Sequence, residues 1–309
     1  MPTLAASRTT SKPREAQVHP EESYRVDFTP DPELYPFESR FFDSSVGQVH
    51  YVDEGKGRPI LLLHGNPDWS FLYRKMIPTL AAHFRVIAPD YPGFGLSVHP
   101  RNYGYLPREH AAVMSELVEQ LDLQNAVLVG QDWGGPIGMD VASRAPERFS
   151  GLVLGNTFFF PSTFRMQRVF SAVMGTSFMQ RQLTQRSLFV RRFMPFLLQA
   201  PLSPAELAHY DDVAPTPHSR IGHAVFPKAI VGETPWLAEL EQRVVATLLD
   251  SPLLRVMGLK DIPLTTKAVR AKWDSLYPNA VKLDLPKAGH YFQEDEPEVV
   301  SAAIVEMYA

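Results

Sequence analysis

Asn125-Ala126-Val127-Leu128-Val129-Gly130-Gln131-Asp132-Trp133-Gly134-Gly135 is the stretch whose reading decides the fold. Its first half, rich in Val and Leu, has the pattern of a strand buried on both faces. It stops at Gly-x-Asp-x-Gly and resumes as Pro136-Ile137-Gly138-Met139-Asp140-Val141-Ala142, with the spacing of a helix. A strand turning sharply into a helix carries its apex side chain, here Asp132, to the edge of a sheet. So tight a turn accepts only small flanking residues, which accounts for Gly130 and Gly134. The plain alternative is that Asp132 is a helix N-cap, a position where Asp is common. The remainder of the chain has to decide between the two.

Upstream, Phe84-Arg85-Val86-Ile87-Ala88 and Pro59-Ile60-Leu61-Leu62-Leu63-His64 read as strands, the second breaking at Gly65-Asn66-Pro67. Gln48 to Gly55 alternates like a strand ending in a turn, and short strand-like pieces are expected around Val26-Asp27-Phe28 and Phe37 to Phe42. Phe71 to Ala82 has helical spacing, Pro89 to Ser97 is a loop, and a helix is expected from about Tyr105 to Leu121. Downstream, Gly151 to Asn156 is another apolar strand. This alternation demands a mostly parallel central sheet with helices on both faces.

From Thr157 to Ile230 the rhythm stops. Several short helices crowded with Phe and Met replace it, and residues 157–230 are read as an inserted helical cap. The α/β core is then 24–156 together with 231–309. It continues through a helix near Pro235 to Leu249, a strand Leu253 to Gly258, a helix near Thr265 to Tyr277, a strand Ala280 to Leu285 and a last helix Pro297 to Met307. Some of the cap's Phe and Met side chains are expected to line an apolar pocket at its seam with the sheet, where ligand sites gather.

Composition narrows the function. A chain of 309 residues with 45% hydrophobic residues can bury a large core. The net charge of -4 and the lack of a basic block argue against nucleic acid as a partner. With no Cys, disulfides, Cys nucleophiles and thiolate metal sites are excluded. No apolar run approaches the roughly 20 residues of a membrane span, so no membrane partner is expected. Residues 1–23 are polar, with scattered Arg and Lys and no signal-peptide core; a disordered or loosely docked tail and a cytoplasmic location are expected. Homo-oligomerisation is left open.

Two further polar residues fall where strands end. Asp261 follows the strand Leu253 to Gly258, and His290 follows the last strand. Parallel strands present their C-termini along one edge, so Asp132, Asp261 and His290 converge there despite their separation in sequence. Asn156 ends a strand where a rival acid would stand, but an amide cannot carry the charge that supports an imidazolium, which leaves Asp261 as the orienter of His290. His64 is read as a structural hydrogen-bonding residue, while His209, His218 and His223 lie in or near the cap. An apex carboxylate is already ionised at neutral pH and needs no base to attack. Attack on a saturated carbon would give an ester on Asp132, which water activated by His290 would hydrolyse. Alkyl halides and epoxides both suit that scheme. A halide needs N–H donors in a dry pocket; the Trp133 indole and the Asn66 amide supply them. An epoxide needs acidic hydroxyls, and the cap's single tyrosine, Tyr210, is expected on an exposed helix.

His64-Gly65-Asn66-Pro67-Asp68-Trp69-Ser70, followed by Tyr73-Arg74, and Gly130-Gln131-Asp132-Trp133-Gly134-Gly135 resemble the haloalkane dehalogenases of the α/β-hydrolase superfamily. The resemblance runs from about residue 36 to the C-terminus. It implies an α/β-hydrolase fold with the order nucleophile, acid, histidine. It also implies a catalytic set of Asp132, His290 and Asp261, a halide pair of Asn66 and Trp133, and an oxyanion hole from the backbone N–H groups of those two residues. The late Asp acid with the Asn/Trp pair is similar to the subfamily usually numbered third. The resemblance further implies a small apolar halogenated substrate, a halide product, and no metal or organic cofactor. An epoxide hydrolase and a hydrolase-fold binding protein with negligible turnover stand as the alternatives.

Overall fold

A computed structural model describes residues 23–309. The tail expected over 1–23 therefore lies outside the described residues except for Ser23. The strands, in chain order, are β1 (Ser23–Tyr24), β2 (Arg40–Ser44), β3 (Gly47–Gly55), β4 (Pro59–Leu63), β5 (Arg85–Pro89), β6 (His99–Pro100), β7 (Ala126–Asp132), β8 (Phe149–Thr157), β9 (Leu253–Gly258) and β10 (Val281–Leu285). The helices are α1 (Ile77–Ala81), α2 (Pro107–Gln120), α3 (Gly134–Arg144), α4 (Arg165–Met174), α5 (Ser177–Arg186), α6 (Met194–Leu197), α7 (Pro204–Asp212), α8 (Ile221–Gly232), α9 (Thr234–Thr247), α10 (Ile262–Thr265), α11 (Lys267–Leu276), α12 (Phe292–Asp295) and α13 (Pro297–Tyr308).

Eight strands form one sheet in the order β10-β9-β8-β7-β4-β5-β3-β2. Pairing is parallel from β10 through β5, and β3 and β2 add antiparallel partners at the far edge. The apolar runs are continuous because both faces are covered. Ile60, Leu62, Val127 and Val129 pack into one core, while Leu61, Leu63 and Leu128 point the other way into a second. The two central strands β4 and β7 thus bury every side chain of their middle turns, and their C-terminal ends are held rigidly beside each other.

Helices α4 through α8 fall between β8 and α9, over the stretch that lacks strands. Several local expectations need correction. Val26-Asp27-Phe28 forms no strand, and only Arg40–Ser44 does so near Phe37 to Phe42. The helix expected over Phe71 to Ala82 is two pieces, a 3-10 turn at Ser70–Tyr73 and the short α1. Pro78 explains the division, since it lacks an N–H and sits comfortably only in a first turn. The helix expected over Thr265 to Tyr277 is likewise divided. Thr266 caps α11 by accepting a hydrogen bond from the Val269 N–H, which restarts the helix instead of continuing it.

Candidate active site

The turn between β7 and α3 is as cramped as its glycines require. Asp132 sits at φ +51°, the left-handed region that a side-chain-bearing residue rarely adopts. A Cβ on Gly130 would lie 2.6 Å from the Gly134 carbonyl oxygen, and one on Gly134 only 2.0 Å from that of Leu63. Asp132 is thus forced above the sheet edge, beside the loop that leaves β4. There its Oδ1 accepts the backbone N–H of Asn66 at 3.0 Å, and the backbone N–H of Trp133 also bonds the carboxylate. Burial raises the Asp132 pKa, while His290 and these two N–H groups oppose the rise.

His290 follows β10 on the loop Pro286-Lys287-Ala288-Gly289. Its Nδ1–H donates to Asp261 Oδ2 at 2.8 Å, and its Nε2 stands 3.7 Å from Asp132 Oδ2. The three residues are therefore brought together in the sequence that the strand order implies. Burial by itself would lower the His290 pKa, but the charge and hydrogen bond of Asp261, then Asp132 and Asp68, push it up to about 9. Asp132 and His290 line a common cavity of about 290 Å³. Asn66 and Trp133 line it too, with Phe158, Met166, Phe170 and Phe189 among its apolar walls and no Lys or Arg. The Trp133 indole is packed edge-on against Phe158, with ring centroids 5.0 Å apart, and its Nε1 finds no acceptor among the described residues. The Asn66 amide makes only a long contact, Nδ2 to the His223 carbonyl at 3.4 Å.

Residues assigned no part in the site from sequence complete the arrangement. The Asn156 amide Nδ2 donates to the carbonyls of Gly289 at 2.8 Å and His290 at 3.2 Å, and its Oδ1 accepts the Gly258 N–H at 3.0 Å. One side chain at the end of β8 thus ties the loop bearing His290 to the strand leading into Asp261. Gln131, next to the nucleophile position, is fully buried. Its Nε2 lies 3.1 Å from the His290 carbonyl and 2.9 Å from His290 Nε2. Because a carbonyl can only accept, the amide nitrogen must face this way, and its second hydrogen points at the ring lone pair. That donation favours the neutral imidazole and opposes the carboxylates. Asp68 is fully buried with no hydrogen-bond partner on either oxygen. Burial and then the charge of Asp132 push its carboxyl well above the usual carboxylate range.

His64 behaves as expected of a structural residue. Nδ1–H donates to the Gly65 carbonyl at 2.8 Å, Nε2 accepts the Tyr91 N–H, and burial lowers its pKa to about 4. Of the cap histidines, His209 accepts the Asp31 N–H, and none lines the cavity. The expectation for Tyr210 is overturned: it is fully buried rather than exposed, and its hydroxyl donates to Glu294 Oε1 at 2.6 Å.

Residues 58–297 match the family model described as the alpha/beta hydrolase fold. Haloalkane dehalogenase 2 of Mycobacterium tuberculosis is 47% identical over 283 residues, covering 92% of this chain and 99% of that protein. The chain belongs to the haloalkane dehalogenase family. A haloalkane dehalogenase of Agrobacterium fabrum is 31% identical over 271 residues, covering 82% of this chain and 86% of its own. Among solved structures, the haloalkane dehalogenase DatA from Agrobacterium tumefaciens superposes with a TM-score of 0.79 at 25% identity, covering 90% of this chain and 98% of that one. As a family member the chain is a hydrolase acting on carbon–halide bonds.

Proposed function

We propose that this dehalogenase hydrolyses small, uncharged haloalkanes to an alcohol, a halide ion and a proton through an ester on Asp132. The observation that carries the reading is the division of labour between the two Asp132 oxygens. Oδ1 accepts the Asn66 backbone N–H, the Trp133 backbone N–H also bonds the carboxylate, and Oδ2 is the oxygen beside His290, 3.7 Å from Nε2. Oδ2 attacks the carbon along the line opposite the halogen, forming the C–O bond as the carbon–halogen bond breaks. The departing halide takes the pair of electrons and is received by Trp133 Nε1–H and the Asn66 amide, whose hydrogens have little other use. Esterification removes the negative charge of Asp132, one of the groups that keep the proton on His290. The imidazole is thereby released from its proton, and is free to accept another, just when a base is needed. It takes a proton from water as the hydroxyl adds to the ester carbonyl, whose oxygen lies in the two-N–H hole, while Asp261 stabilises the imidazolium. Collapse releases the alcohol and restores the carboxylate.

Within this reading, residues 157–230 act as a cap over a core made of 24–156 and 231–309, and the enzyme works in the cytoplasm. The apolar wall of the cavity, lined by neither Lys nor Arg, supports neutral substrates over haloacids. An epoxide would need hydroxyl donors over the nucleophile, and Tyr210 is engaged with Glu294 instead.

The test is His290→Phe. Incubated with 1-bromobutane, this variant should release about one equivalent of bromide and then stop, with the intact protein gaining the mass of a butyl group. The adduct should be missing from the Asp132→Ala, His290→Phe double variant. Sustained turnover by the single variant, or an adduct that survives loss of Asp132, refutes the assignment.

A further inference from the structure

Helix α4 is turned the wrong way round for a surface helix. Ser171 and Met174 are its buried residues, and the Ser171 hydroxyl donates to the Lys228 carbonyl on α8. Meanwhile Met166, Val169, Phe170 and Val173 are 50%, 54%, 36% and 47% exposed. Their spacing of three, four and seven residues places them in one stripe on the solvent face. An apolar stripe facing water on an otherwise amphipathic helix marks an interaction surface.

Two observations say what covers it. First, the stripe leads into the cavity mouth. Met166 and Phe170 line the cavity, and the Gln167 side chain between them donates to the Pro263 carbonyl, beside Ile262, which is 67% exposed. Second, the charge of the segment that carries the stripe is one-sided. Residues 157–230 carry seven Arg and one Lys against Glu206, Asp211 and Asp212, a surplus of five positive charges in a chain whose net charge is -4. Arg165 flanks the stripe roughly a quarter turn from its centre. Arg165, Arg181 and Arg186 are exposed, and none forms an ion pair among the described residues.

We propose that the cap docks on the surface of an anionic phospholipid bilayer through the α4 stripe, with the arginines on the headgroups and the cavity mouth facing the lipid. Apolar side chains beside a basic rim are the chemistry by which a helix lies in a membrane interface. A second copy of the chain is the less fitting partner, because a two-fold contact would set the same arginines against each other. No described helix is long and apolar enough to cross a bilayer, and the proposal concerns the surface alone. Its use rests on the function proposed above: an uncharged haloalkane partitions into lipid, so an enzyme docked mouth-down draws substrate from where it is concentrated.

The experiment is co-sedimentation of the full chain with vesicles of phosphatidylcholine, with and without phosphatidylglycerol, at low and high salt. The wild-type chain should pellet with the anionic vesicles and be released by salt. Val169→Glu with Val173→Glu should abolish pelleting. Arg165→Glu with Arg181→Glu should weaken it by at least roughly fivefold per arginine. Neither pair lines the cavity, so bromide release from dissolved 1-bromobutane should be unchanged in both, which also shows that they fold. A wild-type chain that stays in the supernatant, or valine variants that pellet like wild type, overturns the proposal. So does a dimer in sedimentation velocity that the valine variants dissolve. Absence of bromide release by the wild-type chain would instead count against the proposed reaction and leave the pelleting result standing.

Discussion

Asp261→Asn isolates what the buried acid contributes. Asp261 is the largest of the groups that raise the His290 pKa from 6.5 to about 9, and it does so against the burial of the ring. A rise of that size corresponds to on the order of 3 kcal/mol of preference for the imidazolium at about 1.4 kcal/mol per unit. The imidazolium forms as His290 deprotonates water, so losing this support should slow ester hydrolysis by on the order of 10²-fold. The amide is nearly isosteric and can present its oxygen to Nδ1–H, so the ring should keep its place. Attack by Asp132 needs no base and should keep its rate. The assay is rapid-mixing halide release from 1-bromobutane. A fast burst of about one equivalent should survive, the steady state should fall by the factor given, and the alkylated protein should accumulate in the intact mass. The residual hydrolysis should also reach its plateau at lower pH, because the base titrates lower without its partner. A steady state within a few-fold of wild type, or a burst that falls in parallel with it, would refute the assignment of Asp261.

Trp133→Phe keeps the ring against Phe158 but removes the indole N–H; alkylation should slow by roughly 10²-fold, the loss expected for one donor to a developing anion, and unchanged single-turnover kinetics would remove Trp133 from the halide site. Asn156→Leu should lower kcat with little change in KM, since it unties the His290 loop from β9 without touching the cavity wall; a variant that loses only substrate affinity would contradict this. Stability should respond to pH through buried histidines. Burial lowers His64 to about 4 and His99, His110 and His223 to about 3. Each is neutral in both states above 6.5, so stability should fall progressively from there towards pH 3 as the unfolded chain takes up protons that the fold refuses. His290, raised to about 9, acts oppositely: its stabilisation is complete below 6.5 and is lost as pH rises through 9. Melting temperatures across pH 4 to 10 for wild type and His290→Phe would check both signs.

The sheet and the convergence at its edge were legible because they depend on local signals. Val127 to Val129 and Ile60 to Leu62 are apolar on both faces, and the glycines around Asp132 announce a bend no larger residue could make. What escaped depends on contacts that sequence spacing does not encode. Gln131 was in plain view, but only the fold shows its amide under His290, 159 residues away. In the sequence Asn156 reads only as an amide where an acid would stand, whereas its three hydrogen bonds reach two other strand ends. Tyr210 was misplaced because α7 is polar in sequence, yet Glu294 and the ion pair of Lys75 with that carboxylate draw its hydroxyl inward. The break of the Phe71 to Ala82 run at Pro78 could have been read from the proline alone.

The wiring of Asn156 also bears on how this lineage can change. Both hydrogens of its amide are spent on carbonyl oxygens, so a carboxylate at that position would set oxygen against oxygen at two contacts. Moving the acid proposed to support His290 from the end of β9 to the end of β8 is therefore not a one-step exchange for this chain. The loop before His290 would have to be rebuilt first, and a laboratory selection for such a relocated acid should return changes at Gly289 and its neighbours before it returns Asp at position 156.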